Sequence, residues 1–288
     1  MAGERILALK IDVDTRRGME AGVPALLAAL SAASVRATFF LSFGPDNSGK
    51  AVYRLLRNPR FLAKMVRTNA PGLYGWRTAL YGTLLPAPMI AAAFPELCRE
   101  IEAQGHEVEF HAWDHRTWQD ALPRKEEGWI REWFDRGLAA YRDCLGHAPR
   151  AFAAPAWLLT ERAVAVLSEY PWEYLSCTRA PVPFVLAGTG KLEVPSDLPC
   201  LEESGGAKGA GAVLSALSTG GIHVLPAHAE AEGGIWGDAL AEILRGAAEL
   251  GYRIVPLSGI AAALRDRKLP ERPFRLSLLP GRGSPCAV

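Results

Sequence analysis

The stretch Ile6-Leu-Ala-Leu-Lys-Ile-Asp-Val-Asp14 predicts a buried strand that ends in two carboxylates. Side chains alternate across a strand, so Asp12 and Asp14 share one face and the aliphatic residues beside them take the other. Two carboxylates on one face repel each other unless a cation lies between them or one of them serves as a base. A solvated strand end, with an aspartate at a helix N-cap, is the alternative interpretation.

Outward from this stretch, strand-like and helix-like segments alternate along the chain. Further strands are predicted at Ala37–Phe43, His106–His111, Ala151–Ala154, Glu173–Cys177, Ile222–Pro226 and Arg253–Pro256. Helices are predicted at Val23–Ala33, Phe94–Gln104, Gly128–Cys144, Glu161–Glu169 and Gly237–Leu250. Roughly seven βα units favour an α/β fold with a parallel, closed or nearly closed barrel, in which the chemistry lies at the carboxyl ends of the strands.

Composition excludes several classes of protein. Lys and Arg number 32 against 31 Asp and Glu, so the net charge is near zero. We therefore do not expect the whole surface of the protein to bind polyanions. The five cysteines form no CxxC pair, which argues against a disulfide framework and favours a reducing compartment. We found no secretory signal and no run of eighteen apolar residues, so we expect a cytoplasmic protein without a membrane-spanning helix.

The third predicted strand leads into His111-Ala-Trp-Asp-His115. The His-x-x-x-His spacing places both imidazoles on one side of a helical turn, as zinc prefers. Two neutral histidines and one carboxylate leave open coordination positions, which is the hydrolytic arrangement. A chance pair on an exposed turn is the alternative. The motif is not the HExxH of metalloproteases, because Ala112 follows the first histidine.

The sixth predicted strand ends in Leu225-Pro-Ala-His228, followed by Glu230. A histidine just beyond an apolar strand, near a carboxylate, is suited to general acid catalysis, although it could be an ordinary loop histidine. Three separate strands therefore end in residue types that one metal-dependent hydrolase needs. This coincidence of position favours a single site.

In this order, Asp12 and Asp14, HAWDH (111–115), AAPAW (153–157) and LPAH (225–228) resemble the motifs of the polysaccharide deacetylase family, also called the NodB homology domain. The resemblance covers Ile6 to Leu264 and implies a distorted seven-stranded (β/α) barrel. The segment FGPDNSGKAVYRLLRNPRFLAKMVRTNAPGLYGW (43–76) and the ending HAEAEG (228–233) are similar to family members that remove a formyl group from 4-deoxy-4-formamido-L-arabinose on undecaprenyl phosphate. Such members serve the lipid A modification that gives resistance to cationic peptides.

The resemblance implies a role for each motif residue. Asp12 would be the general base that activates the hydrolytic water, and His228 would protonate the leaving amine. Asp14, His111 and His115 would bind a divalent metal, which we expect to be zinc, with manganese or cobalt also compatible with two histidines and one aspartate.

The chain departs from the family pattern at two places. The third motif usually opens with an arginine that tunes the base, whereas Ala153 stands here. Lys10, on the same strand face as Asp12, could compensate. The run YLSCTR (174–179) also replaces an expected Asn-Ser-Asp sequence, which bears on substrate identity more than on the chemistry.

The segment Gly44–Ile90 is too long for an ordinary connection. It carries one acidic residue, Asp46, and seven basic ones, Lys50, Arg54, Arg57, Arg60, Lys64, Arg67 and Arg77. Basic residues at helical spacing, followed by aromatic ones, predict a helix pair on an anionic membrane surface; a packed hairpin with a solvated basic face is the alternative. No nucleic-acid motif is present. Gly44-Pro-Asp-Asn-Ser-Gly-Lys50 has phosphate-loop spacing, but Ala51 lacks the hydroxyl that binds magnesium, so nucleotide binding is not expected.

We therefore predict one barrel domain at 1–268 that contains the insertion 44–90, and a flexible tail at 269–288. Trp113, Trp157 and Glu230 are candidate substrate-binding residues. The favoured function is deformylation or deacetylation of a polyprenyl-phosphate-linked amino sugar at the inner face of the bacterial inner membrane. A soluble N-deacetylase of the same family, or an inactive barrel that binds lipid or glycan, remains open.

Overall fold

The fold is built around strand β1, Arg5–Val13, in a computed structural model that describes residues 4–51 and 77–288. Eight of the nine β1 residues are buried. Strand β8 pairs along one edge of β1, from Arg5 with Gly221 to Asp12 with His228. The other edge is shared, because β9 pairs with the amino-terminal half of β1 and β2 with its carboxyl-terminal half.

Ten strands form one sheet in the order β10-β6-β7-β5-β4-β3-β2-β1-β8, with β9 beside β1. They are β1 Arg5–Val13, β2 Thr38–Ser42, β3 Glu107–Ala112, β4 Ala151–Phe152, β5 Tyr174–Leu175, β6 Phe184–Leu186, β7 Lys191–Glu193, β8 Gly221–His228, β9 Arg253–Val255 and β10 Glu271–Arg272. Every pairing is parallel except that between β6 and β7. The sheet curls into a half-barrel, which confirms the predicted mixed α/β barrel class.

Most of the described helices pack on the outer face of the sheet, whereas the helix Leu257–Leu264 packs against the other face of β1, in the smaller core cluster. Those described are α1 Val23–Ala32, α2 Pro95–Ala103, α3 His115–Ala121, α4 Glu127–Leu145, α5 Glu161–Ser168, α6 Leu201–Ser204, α7 Ala210–Leu217, α8 Ala229–Glu232, α9 Gly237–Glu249 and α10 Leu257–Leu264. The alternation of β1 divides the core, because Leu7, Leu9 and Ile11 pack in the large cluster with the helices. Ile6 and Ala8 belong to a smaller cluster with Phe40. Lys10 and Asp12 share the face of Ile6 and Ala8, so β1 directs them into the curl.

All seven predicted strands and all five predicted helices are present, and their ends differ from the predicted ones by at most two residues. The antiparallel hairpin of β6 and β7 was not predicted. The glycine-rich run 204–212 joins two helices through a 3₁₀ turn at Gly206–Lys208. Gly205, with φ 104°, permits this sharp junction because a residue without Cβ adopts positive φ without strain.

The tail from Leu269 lies closer to the domain than expected. Strand β10 pairs with β6, and β11 (Leu276–Ser277) pairs with β12 (Cys286–Ala287). Cys286 and Ala287 are fully buried, and the Ala287 carbonyl accepts a hydrogen bond from the amide of Arg179. The last residues therefore pack in the core, where sequence composition placed them outside it.

The residues predicted to form the basic helix pair, from 52 to 76, lie outside the described ranges. Of that insertion, the structure describes the two ends, residues 44–51 and 77–90. Among the described helices, none combines the length and the apolar character needed to cross a membrane. All five cysteines are free thiols.

Candidate metal centre and active site

Three strand ends bring the predicted site residues together. Asp12 is in β1 and pairs in register with His228, the last residue of β8. Asp14 follows β1 directly, and His111 lies near the end of β3. His115 is the first residue of α3, after a short turn. Because the strands are parallel, their carboxyl ends lie at one edge of the sheet. Site residues that are far apart in the sequence therefore form a single cluster.

Asp14, His111 and His115 converge on one point. Asp14 Oδ1 lies 3.2 Å from His111 Nε2, and Asp14 Oδ2 lies 3.3 Å from His115 Nε2. One donor atom from each residue lies within 4.8 Å of the others. Two ligands held about 2.0–2.1 Å from one tetrahedral ion are themselves about 3.3 Å apart. The observed spacing therefore fits a shared divalent cation.

The protonation of the three side chains also suits a cation. His111 Nδ1 lies 2.8 Å from the Ala153 carbonyl oxygen, which can only accept, so Nδ1 carries the proton and the Nε2 lone pair faces Asp14. Burial lowers the pKa of His115 to about 4, against the opposing effect of Asp14. Burial favours a higher pKa for Asp14, but His115 and His111 lower it overall, below its usual range. At neutral pH Asp14 is therefore a carboxylate and His115 a neutral imidazole, the forms in which they bind a metal.

Two side-chain atoms of this set are buried without a hydrogen-bond partner. His111 Nε2 and Asp14 Oδ1 are buried and make no hydrogen bond. Buried polar atoms without partners are costly in a folded protein, by about 1–3 kcal/mol each. A bound cation would satisfy both, which is a second reason why the residues present fit a metal.

The loop that carries Asp14 is fixed by Glu230. Glu230 Oε1 accepts hydrogen bonds from the amide of Asp14 at 3.1 Å, from the amide of Thr15 at 2.8 Å and from Thr15 Oγ1 at 2.7 Å. Gly18 makes this close approach feasible, because a Cβ at that position would lie 2.3 Å from Glu230 Oε1. The structure thus places Glu230, a candidate substrate-binding residue, behind a metal-ligand loop, where it is 4% exposed.

Asp12 is held by Lys10 from the same strand face. Lys10 Nζ donates to Asp12 Oδ2 at 2.6 Å, and both side chains are buried. Asp12 Oδ1 has no hydrogen-bond partner. A carboxylate that is 4% exposed and ion-paired does not fit the alternative of a solvated strand end. Since Ala153 offers no guanidinium, Lys10 is the cation that contacts this carboxylate.

His228 completes the cluster opposite Asp12. Its amide donates to Glu232 Oε2 at 2.7 Å, which fixes the turn after β8, and its Nδ1 is buried without a hydrogen-bond partner. Burial lowers the pKa of His228, but Glu202, Asp14 and Glu232 outweigh it, so the pKa lies above the ordinary value. A raised pKa favours the protonated imidazole and so suits a proton donor.

Comparison with known proteins agrees with this geometry. The family model described as polysaccharide deacetylase matches residues 2–175, which is more than half of the chain. The chain belongs to the polysaccharide deacetylase family. Membership places it among hydrolases that act on carbon–nitrogen bonds. The predicted family is thereby confirmed.

Individual relatives give finer detail. A protein of Shewanella sediminis named "Probable 4-deoxy-4-formamido-L-arabinose-phosphoundecaprenol deformylase ArnD" is 31% identical over 257 residues, covering 87% of this chain and 84% of the relative. A solved structure from Mycobacterium smegmatis, described as a polysaccharide deacetylase, has a TM-score of 0.66 at 21% identity and 97% coverage of both chains. A family 4 carbohydrate esterase from Streptomyces lividans has a TM-score of 0.52 at 16% identity, covering 86% of this chain and 90% of the esterase. The two solved structures support the fold alone.

Within this family member, Trp157 lies beside the cluster and is almost fully buried. Its ring is contacted by three cations, with Lys10 Nζ 5.0 Å, Arg179 Cζ 4.9 Å and Arg282 Cζ 4.8 Å from the ring centre. The rings of Trp157 and His228 meet edge to face at 6.5 Å. Cations over an indole face are attracted by its quadrupole, so Trp157 links the Lys10–Asp12 pair to the two arginines.

The turn that presents Trp157 is strained. Ala156 and Trp157 both have φ 54°, in a region that residues with a Cβ seldom adopt. Arg282, from the tail, donates to the Ala156 carbonyl at 3.0 Å and to Glu203 at 3.1 Å. Sequence reasoning assigned no role to Arg179, the last residue of the run YLSCTR, or to Arg282 in the tail, because their meeting at Trp157 depends on long-range folding.

Trp113, the remaining candidate, is half-buried and packs against the main core. Its backbone lies close to Gly44, where a Cβ would approach the Trp113 carbonyl to 2.0 Å. Trp113 therefore sits where the segment after β2 passes over the His111–His115 turn. This position is beside the site, with part of the ring in the core.

Proposed function

We propose that this chain is a metal-dependent amide hydrolase that removes a formyl group from an amino sugar linked to undecaprenyl phosphate. The observation that carries the proposal is the convergence of Asp14, His111 and His115 beside Asp12, whose Oδ1 is free. The named activity of the Shewanella relative supports the formyl group and the lipid carrier.

In this proposal, Asp12 Oδ1 accepts a proton from the attacking water, while Lys10 holds Oδ2 and thereby fixes the carboxylate. His228 donates a proton to the nitrogen of the leaving amine. A divalent ion held by Asp14, His111 and His115 supplies Lewis acidity, which polarises the amide carbonyl and makes water more acidic.

We propose zinc as the metal. Zinc accepts nitrogen and carboxylate ligands in tetrahedral geometry, and three protein ligands leave one position open. Manganese and cobalt bind the same donor types, so they are the competing ions.

Glu230 is proposed to act as a positioning residue. Its Oε1 accepts three hydrogen bonds from residues 14 and 15, so this oxygen is not available to bind a sugar hydroxyl. Trp157 and Trp113 remain proposed substrate contacts, Trp157 because its ring packs perpendicular to that of His228.

The proposed setting is the inner face of the bacterial inner membrane, in the lipid A modification that protects against cationic peptides. The basic composition of the insertion, including Lys50 and the exposed Arg77, supports contact with an anionic surface. A substrate carried on a lipid phosphate would be met there.

The function is tested with purified protein, added Zn²⁺ and the lipid-linked formamido sugar, with formate release as the measurement. We expect release from the formyl substrate to exceed release of acetate from its N-acetyl counterpart. Preference for the acetyl substrate would point to a deacetylase, and loss of both activities despite bound metal would point to a binding protein. Co-sedimentation with phosphatidylglycerol vesicles, and its absence with phosphatidylcholine vesicles, tests the membrane contact.

Lys10→Met is expected to lower kcat by about 10²-fold, because a misplaced catalytic group costs roughly that much. KM and zinc affinity should change little, since Lys10 contacts neither the proposed metal ligands nor solvent. Lys10→Arg, which keeps the charge, should recover part of the rate. Steady-state kinetics and metal titration of both variants check this, and a Lys10→Met enzyme with wild-type kcat would contradict the role given to Lys10.

A further inference from the structure

The segment Pro45–Gly49, within the run Gly44–Lys50 that has phosphate-loop spacing, contacts both loops that carry candidate metal ligands. Asp46 is 1% exposed, and its Oδ2 accepts a hydrogen bond from the amide of Arg16 at 2.9 Å. Its Oδ1 accepts from the amide of Ser48 at 3.1 Å. Asp46 therefore holds the loop that begins with Asp14, two residues beyond the ligand.

The next residue, Asn47, reaches the second ligand loop. Asn47 Nδ2 donates to Asp114 Oδ2 at 2.7 Å, and Asn47 is 7% exposed. Asp114 is the N-cap of α3, since its Oδ1 accepts from the amide of Thr117 at 2.8 Å. Helix α3 begins at His115, so Asn47 fixes the cap that sets the position of this ligand.

Glu230 and Asp46 contact the Asp14 loop through different backbone amides. Glu230 bonds the amides of residues 14 and 15, whereas Asp46 bonds the amide of residue 16. With Asn47 on Asp114, the dipeptide Asp46-Asn47 joins the loop of Asp14 to the loop of His115. These two candidate ligands lie just after strands β1 and β3, which flank β2 in the sheet.

The dipeptide is itself fixed to the other end of the insertion. The amide of Asp46 donates to the Pro88 carbonyl at 2.8 Å, and the amide of Gly49 donates to the Tyr81 carbonyl at 3.0 Å. A Cβ on Gly49 would lie 2.5 Å from the Tyr81 carbonyl, so the two segments approach as closely as glycine permits. Hydrogen bonds therefore join the two described ends of the insertion, residues 44–51 and 77–90, and we call this pair of segments the base of the insertion.

We propose that Asp46 and Asn47 are positioning residues of the metal centre, through which the base of the insertion sets the spacing of Asp14 and His115. This inference rests on the proposed function. Residues that orient metal ligands from behind typically contribute 10–100-fold to metal affinity. Loss of either side chain should therefore loosen the site without removing a ligand.

The test is the Zn²⁺ dissociation constant of the full chain, measured by competition with a chromophoric chelator in the absence of substrate. Asn47→Leu keeps the approximate volume and removes the donor to Asp114, whereas Asp46→Asn keeps one acceptor oxygen of the two. We expect Asn47→Leu to raise the dissociation constant by about 10–100-fold and Asp46→Asn by less. Asn47→Gln, which restores an amide donor, should recover part of the affinity.

Asp197→Asn is the matched control. Asp197 also accepts a hydrogen bond from a backbone amide, that of Val224 at 2.7 Å, and contacts His223, but it touches neither ligand loop. The Asp197→Asn variant should bind zinc with the same affinity as the wild type. Wild-type affinity in both Asn47→Leu and Asp46→Asn would overturn the inference and leave the proposed function standing. A wild-type chain that binds no zinc would instead overturn the proposed function.

If Asn47→Leu fails to fold, Asp46→Asn decides the matter alone, because it retains the shape and an acceptor. Hydrolysis by the folded variants at saturating Zn²⁺ gives a second readout. A positioning role predicts a lower kcat with little change in KM, since neither residue is placed on the substrate. A change confined to the melting temperature would show a structural role only and would count against the proposal.

Discussion

Asp12→Asn is expected to keep its metal and to lose hydrolysis by about 10²–10⁴-fold, the usual contribution of a general base. The substitution leaves an oxygen that can still accept from Lys10 Nζ, so the strand end should keep its shape. The neutral amide cannot take a proton from water at the Oδ1 position. Elemental analysis and kcat of the purified variant measure the two properties separately.

Asp238→Asn serves as the control, because Asp238 is exposed in the first turn of α9 and is none of the site residues. It should behave as the wild type in both measurements. Equal activity of Asp12→Asn and the wild type would remove the base from the mechanism, whatever the metal content proved to be.

His111→Ala is expected to lose both metal and hydrolysis. Four-ligand structural zinc sites bind with about 10–16 kcal/mol, or about 3 kcal/mol for each ligand, so one lost imidazole should weaken binding by about 10²-fold or more. His115→Ala should behave in the same way, because its Nε2 lies at a similar distance from Asp14. Zinc titration and formate release check both variants.

His147→Ala is the matched control for these variants. His147 is exposed and contacts Glu102, outside the cluster. Its loss should change neither metal affinity nor turnover. Tight zinc binding by both His111→Ala and His115→Ala would mean that zinc binds at another site.

The strands and the meeting of the motifs could be predicted because they follow from local patterns. The period-two alternation of β1 placed Lys10, Asp12 and Asp14 on one face, and the structure adds the ion pair between the first two. The predicted approach of His111 and His115 is also seen, but the helical turn that was expected to bring them together is absent, because His111 lies in β3 and His115 begins α3. Parallel strands then bring Asp14 and His228 to the same edge without further information.

What the sequence did not reveal depends on contacts between distant segments. The hydrogen bonds of Glu230 join residues more than two hundred positions apart, and those of Arg282 to Ala156 span 126 positions. No local pattern encodes such partners. The positive φ angles of Ala156 and Trp157 could not be predicted from the sequence either, because neither residue is glycine and surrounding contacts must impose this conformation.

The tail and the phosphate-loop mimic illustrate the same limit. Pro, Gly and Arg in 269–288 predicted a segment outside the core, yet Cys286 and Ala287 are buried where β12 pairs with β11. The GPDNSGK run was set aside as a nucleotide motif on residue chemistry. Its two polar side chains, Asp46 and Asn47, gained a meaning only when the loops of Asp14 and His115 were seen beside them.

The most direct test of the metal centre is an anomalous-difference map from crystals grown with Zn²⁺, collected on both sides of the zinc absorption edge. We predict one strong peak within bonding distance of Asp14, His111 and His115, with Asp12 next to the ion's open side and still paired with Lys10. A map without a peak at these three side chains, from crystals whose zinc content is established, would contradict the account.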